Sequence, residues 1–301
     1  MKHTVLSLSL LLLLLTSGCG SAAPAATEPD QLSIVATTYP VFLLTQMVTD
    51  GVDGISLHPL INQPISCPHD YSLTVNDMMA VETADVLIQN GAGLEPFLSD
   101  ILDAYPSLPV IDSSAGVSLL KYQGHDATEE NDPHIWLDPS RAAQMVENIG
   151  AELSKQDPDH TDAYLQNAEK AAGQLREYGQ SLAAEMANLP NRELITFHDG
   201  FGYLADACDL TILKSIEEEA GSEASAQDIA EIAALVKSKN IPAVFCEANG
   251  SDSAAQTISR ETGATVATLS LMMSGSEERT TPNAYYTIMD QNADSLRAAL
   301  Q

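Results

Sequence analysis

Three histidines occupy short, turn-rich settings: His69 in C-P-H-D-Y, His134 in D-P-H-I-W-L-D-P and His198 in T-F-H-D-G-F. A neutral imidazole offers one nitrogen lone pair to a metal. Three of them suit zinc and other later first-row ions and leave a coordination position open. Pro68 and Pro133 directly precede two of the histidines, and the fixed φ of proline restricts the local backbone, which helps hold an imidazole in one orientation. Asp70, Asp138 and Asp199 stand close by and are candidates to accept from the second ring nitrogen. A single loop histidine is more often a hydrogen-bonded structural residue, but three in comparable settings point to a shared ion. His58 and His160 read instead as a strand-end and a helix-start residue. His125, in the acidic run 124–132, reads as part of a solvated turn.

The elements that must position these residues alternate along the chain. β-prone runs at 32–36, 55–60, 85–89 and 109–111 are separated by helical patterns at 41–50, 74–82 and 94–104. The scheme recurs with strands at 194–197, 211–216, 243–246 and 265–269 and helices at 200–207, 226–238, 252–262 and 283–299. Such alternation is the mark of βαβ units on a mainly parallel sheet. The expected fold is therefore α/β, with two lobes that each carry a mainly parallel four-stranded sheet flanked by helices. Residues 161–188 contain no proline and are dense in Ala, Leu, Gln, Glu and Lys, which predicts one long helix, with apolar residues at three- and four-residue spacing. At 1.5 Å per residue it reaches roughly 40 Å and would join the lobes rigidly. The expected division is a first lobe at 32–158, a linking helix at 159–189 and a second lobe at 190–301. Ligands of parallel sheets bind beyond the carboxyl ends of strands, where all three histidines are expected to fall.

The chain of 301 residues carries a formal net charge of −29, from 42 acidic and 13 basic residues. Nucleic acid is excluded as a partner by that balance, and a cation is the better electrostatic match. At the start, Lys2 and His3 precede an unbroken apolar stretch at 10–15 and then T-S-G-C, which reads as a lipoprotein export signal over 1–18. Cys19 is the expected lipidation site, with Thr16 as a departure from the usual Leu of that box, and 19–31 reads as a flexible tether. The expected location is the outer face of the cell membrane, or the periplasm, with the lipid on Cys19 as anchor. Setting Cys19 aside leaves Cys67, Cys208 and Cys246, enough for one internal disulfide at most.

Taken together, I-V-A-T-T-Y-P, P-H-D-Y followed by N-D, A-D-V-L-I-Q-N-G-A-G-L-E, D-P-H-I-W-L-D-P, F-H-D-G-F-G-Y-L and Y-Y-T-I-M-D resemble the zinc- and manganese-type solute-binding proteins of bacterial ABC importers. The resemblance covers nearly the whole chain after the tether. It implies two lobes around a buried metal held by His69, His134 and His198, a monomer, and delivery of the ion to an ABC-type permease in the membrane. Two departures stand out. Relatives carry an Asp in a Leu-Asp-Pro-Leu segment as fourth ligand, whereas this chain has Leu269-Ser270-Leu271-Met272, so the fourth position falls to water, Glu247 or a thiolate. Cys67 and Cys246 could bridge the lobes, contribute a soft ligand or stay buried and unbridged, while Cys208 reads as an apolar filler. Nitrogen donors favour Zn2+ over Mn2+. Two other classes are weighed against binding without turnover. A three-His zinc hydrolase would use Glu247 as base, but the chain has no nucleophile motif, phosphate loop or H-E-x-x-H helix. A surface adhesin is suggested by the lipid anchor.

Overall fold

The computed structural model describes residues 31–301 except 64, 66, 67, 69, 70, 123–130, 218–223, 274, 276–280 and 282. Cys19, Cys67, His69, Asp70 and His125 therefore lie outside the described residues. The first sheet comprises β1 (Leu32–Ala36), β2 (Ile55–Pro59), β3 (Val86–Gln89) and β4 (Val110–Asp112), all parallel, in the order β2-β1-β3-β4. The second comprises β5 (Glu193–His198), β6 (Thr211–Glu217), β7 (Ala243–Glu247) and β8 (Thr265–Leu269), again parallel, in the order β6-β5-β7-β8. Side chains explain which strands are central. β5 and β7 are almost wholly buried and Val86, Leu87 and Ile88 of β3 are buried on both faces, whereas β2 and β8 carry exposed positions. A parallel strand covered on both faces needs continuous apolar character, and an edge strand does not.

Helices fill the connections: α1 (Tyr39–Thr49), α2 (Val75–Glu82) and α3 (Leu98–Ala104) in the first lobe. α3 begins four residues later than the pattern predicts, because Glu95 precedes Pro96 and a residue before proline avoids the helical region. No helix is expected between 112 and 160, yet α4 (Pro139–Gln156) lies there. Asp138 caps it, accepting from Ser140 N at 2.7 Å, and Pro139 takes the first turn, where its missing N–H costs nothing. Met145, Val146, Ile149 and Leu153 recur on one face and are fully buried.

α5 (Thr161–Met186) follows a single 3-10 turn at Pro158–His160, so the long linking helix is one leg of a helical hairpin with α4. Asp157 fixes the turn, accepting from Tyr164 Oη at 2.8 Å with His160 Nδ1 at 2.7 Å. The second lobe adds α6 (Gly202–Ala207), α7 (Ala226–Lys239), α8 (Ser253–Thr262) and α9 (Ala284–Ala299), and α9 returns to pack on α1 and α5. Among the described residues no helix is long and apolar enough to cross a membrane.

The apolar clusters follow from this layering. A central cluster runs through both lobes, joining the inner faces of the sheets to α1, α4, α5 and α9 through residues such as Phe42, Trp136, Tyr164, Phe245 and Tyr285. Separate clusters cover the outer faces, one around Leu87, Phe97 and Ile101, the other around Ile195, Val244 and Ile258.

Where α4 crosses α5 the backbones approach at Gly150. A Cβ there would lie 2.6 Å from Ala168 Cβ and 3.1 Å from Tyr164 O. Helix propensity alone would make Gly150→Ala stabilising by about 1 kcal/mol. The methyl would meet a backbone carbonyl and a Cβ, neither of which can turn aside, so overpacking of about 1–3 kcal/mol wins. Gly150→Ala is expected to lower the urea midpoint, and a raised midpoint would show that the hairpin can open at no cost.

Candidate functional site

His198 is the last residue of β5, one of the two inner strands of its sheet, and is 2% exposed. His134 precedes a 3-10 turn at Ile135–Leu137 and is 1% exposed. The two rings meet edge to face with centroids 5.4 Å apart, and Trp136 packs on the His134 ring at the same distance. Gly200 shows what lies between them. A Cβ on Gly200 would be 3.0 Å from His134 Nε2, 3.0 Å from His198 Nε2 and 2.6 Å from His198 Cδ2. Atoms each 3.0 Å from one point are no more than 6.0 Å apart, so both Nε2 atoms border one small space that only glycine leaves open.

The orientation of His134 comes from Asp132. Its Oδ1 accepts from His134 N at 2.9 Å and lies 2.7 Å from His134 Nδ1. An ionised carboxylate only accepts, so Nδ1 carries the proton, and in the neutral ring the lone pair is left on Nε2, the nitrogen that faces Gly200. Asp132 is itself 1% exposed and held by α6. Tyr203 Oη donates to Asp132 O at 2.8 Å and accepts from Leu120 N at 2.9 Å, while Asp132 Oδ2 lies 2.7 Å from where a Cβ of Gly202 would stand.

Further along the same segment, Trp136 Nε1 donates to Leu271 O at 3.0 Å and Tyr285 Oη donates to Trp136 O at 2.7 Å, both contacts reaching the second lobe. Arg141 pairs with Asp138 and with Asp206 of α6 at 2.8 Å, and its guanidinium stacks over the Tyr203 ring. From the first lobe, Asn90 Nδ2 donates to Pro133 O at 2.9 Å.

Asn90 belongs to a second buried polar cluster, at the carboxyl ends of β1 and β3. Glu95 accepts from Thr37 Oγ1 and Asn90 N, each at 2.7 Å, and from Gly91 N at 3.1 Å. Burial pushes its carboxyl up to about 7, with Asp112 adding to the rise and the three donors opposing it.

The structure brings His134 and His198 together, and His69 lies outside the described residues. Its described neighbours Pro68 and Tyr71 are joined by a hydrogen bond from Tyr71 N to Pro68 O at 3.0 Å, and Tyr71 Oη donates to Asp77 at the start of α2. Among the described residues, no three His, Cys, Asp or Glu side chains are gathered closely enough to hold an ion. The expectation that Asp138 orients His134 is corrected: Asp138 caps α4 and pairs with Arg141, and Asp132, on the other side of the histidine, takes the orienting place. Asp199 accepts from Ser215 Oγ at 3.1 Å.

The candidates for a further donor are separated by the pleat of the second sheet. Register pairs Ile195 with Val244 and Thr196 with Phe245, which carried two residues further sets His198 beside Glu247. Cys246 packs with Ile195, Phe197 and Val244 on the outer face, which sets it apart from His198 and goes against the soft-ligand role open to it; Glu247, one residue on, shares the inner face with His198. Ser270 is tied to α9, its N donating to Asn292 Oδ1 at 2.7 Å and its O accepting from Asn292 Nδ2 at 2.9 Å. Cys208 follows α6, sits in the central cluster, and has its thiol pushed up to about 12 by burial.

Two outcomes follow from this geometry. Gly200→Ala is expected to leave the fold intact and to drive the two imidazoles apart, so that a crystal structure of the variant shows ring centroids beyond 5.4 Å; an unchanged pair would mean that Gly200 guards no shared space. Glu95 titrates from an ordinary carboxylate value when unfolded to about 7 when folded. Its contribution to stability is therefore full below the unfolded value and is lost as pH rises through 7, to the extent of up to about 3 kcal/mol. The stability of the metal-free chain relative to Glu95→Gln should fall between pH 5 and pH 8 in urea titrations, and a constant difference would contradict a raised carboxyl.

Residues 34–299 match the family described as zinc-uptake complex component A, periplasmic. The high-affinity zinc uptake system protein ZnuA of Bacillus subtilis is 28% identical over 95% of this chain and 94% of its own. Among solved structures, the solute-binding protein FpvC of Pseudomonas aeruginosa in complex with Ni2+ superposes with a TM-score of 0.78 at 27% identity, covering 90% of this chain and 97% of that one. The laminin-binding protein Lmb of Streptococcus agalactiae, described as a bifunctional protein with adhesin and metal transporting activity, gives 0.78 at 26% identity, covering 90% and 100%. The chain belongs to the zinc-uptake component A family, whose members are metal-binding solute-binding proteins of transporters and not enzymes.

Proposed function

We propose that this chain captures a divalent transition-metal ion as cargo between its lobes, holds it through His69, His134 and His198, and delivers it to an ABC-type permease. The observation that carries the reading is the paired orientation of His134 and His198, whose Nε2 atoms border the space kept open by Gly200. Imidazole nitrogens fit a zinc-type ion by donor chemistry, and burial of both rings supplies the dry setting in which such bonds are strong. His69 completes the trio from the segment that follows β2 in the first lobe, so that the ion bridges the lobes. Glu247 is the candidate for a fourth donor that shares the inner face with His198, and water is the alternative.

Zinc is preferred to manganese because three nitrogens make a softer set than the oxygen-rich sites manganese favours. The name of the Bacillus relative agrees with zinc, while FpvC is seen with nickel and with manganese. Transport is preferred to adhesion, the second activity ascribed to Lmb, because the paired imidazoles have a role in the first and none in the second. The division into lobes at 32–158 and 190–301 about a linking helix at 159–189, the export signal over 1–18 and the anchor on Cys19 complete the reading. They would hold the binding protein beside its permease at the membrane surface.

Elemental analysis of the purified chain after export is expected to return one zinc per chain, and His198→Ala to lose it. Unchanged metal content in His198→Ala would sink the site as drawn.

A further inference from the structure

The Asp132 carboxylate sits between the histidine pair and α6, and does two separable things to His134. Its Oδ1 binds both the backbone N and the ring Nδ1 of the same residue, which fixes the position of the side chain and its tautomer together. In addition, it is a carboxylate 1% exposed, placed one imidazole away from the space at Gly200. A charge buried there needs a counter-charge. Arg141, on the same segment, is engaged by Asp138 and Asp206.

We propose that Asp132 is the positioning residue of the metal site, setting the tautomer and the place of His134 and lending its charge, through the ring, to the bound cation. The proposal rests on the three-histidine reading. The physical route is the second nitrogen: a carboxylate on Nδ1–H makes Nε2 a stronger donor, and orients its lone pair so that no rotation is needed on binding. The second lobe takes part through α6. Gly202 gives Asp132 Oδ2 its room, and Tyr203 holds the Asp132 carbonyl, four and five residues after His198. His134 is thereby referenced to the helix that follows His198, so the two imidazoles are spaced by one rigid construction although 64 positions separate them in the chain.

The roles separate by substitution. Asp132→Asn keeps an oxygen acceptor for N and Nδ1–H but removes the charge; Asp132→Ala removes both. Gly202→Ala leaves the carboxylate in place and pushes on Oδ2. Competition titration with zinc against a chromophoric chelator is expected to rank wild type above Asp132→Asn and Asp132→Asn above Asp132→Ala, with a total loss of roughly 10–100-fold, the range for losing such a partner. Nitrogen-15 NMR of the metal-free chain is expected to show His134 as the Nδ1–H tautomer in wild type and Asp132→Asn, and as a mixture in Asp132→Ala. Gly202→Ala, folded by circular dichroism, is expected to weaken zinc without losing the tautomer, and it keeps the test usable where Asp132→Ala does not fold.

Equal zinc affinity in wild type, Asp132→Asn and Gly202→Ala, alongside loss of zinc in His134→Ala, would overturn the proposal and leave the histidine site standing. Retention of zinc by His134→Ala itself would instead remove the reading on which the proposal rests.

Discussion

The hydrogen bond from Tyr203 Oη to Asp132 O ties a short helix of the second lobe to the segment that carries His134, and the cleft depends on that tie. The segment from Asp132 to Asp138 has only a single 3-10 turn of its own, so its backbone groups need partners from elsewhere if they are to be buried. Trp136 O finds Tyr285, Pro133 O finds Asn90, and the indole N–H finds Leu271 O. Each bond is modest, about 1 kcal/mol net, but leaving such a group buried without its partner costs more than the bond gains. The bonds therefore act together to leave one arrangement, and that arrangement presents an imidazole to the space beside Gly200.

The two sheets share one strand order, and in each the connections leave to opposite sides of the first strand. The crevice between the carboxyl ends of β1 and β3, and that between β5 and β7, are the positions where parallel sheets bind ligands. The first is closed: Glu95 gathers Thr37 Oγ1 and the Asn90 and Gly91 amides, and with them braces the loop whose Asn90 side chain supports Pro133. At the second stand His198 and Glu247, the last residues of β5 and β7. One crevice has become scaffold for the segment that completes the other. Burying a carboxyl costs free energy, and the fold recovers it as a fixed loop, since three donors on one carboxylate define the backbone from 90 to 95.

Strands were the most legible part of the sequence, because alternation with helices and continuous apolar runs are local signals; β1 and β8 match their expected limits to the residue. α4 falls outside the expected helices, although Asp138-Pro139 is a strong start signal and Met145, Val146, Ile149 and Leu153 keep the helical period. D-P-H-I-W-L-D-P holds a histidine and a helix cap in one stretch, and residue types alone do not separate the two roles of its aspartates. For the same reason Asp138 and Asp132 look equally able to orient His134, and only the fold shows that Asp132, two residues before it, reaches the backbone N and the ring at once. Gly200 and Gly202 carry no chemistry in a one-dimensional reading. Their meaning is the space they leave for His134, His198 and Asp132, which exists only once the lobes have met. The face of Cys246 needed the register with β5 before it could be told from that of Glu247.

A net charge of −29 draws cations toward the surface but cannot choose among them, because at a distance every divalent ion presents the same charge. Choice has to come from donor type and geometry. Donor type alone ranks copper above zinc, so rigidity must do the remainder. The apolar cluster that runs unbroken through both lobes, with α4 and α5 clasped at Gly150 and α9 returning to α1, leaves little freedom for a wide hinge. Close-packed interiors shift between discrete arrangements rather than deforming smoothly. That body sets the separation of His134 from His198, and on the proposed reading an ion must accept the spacing it finds.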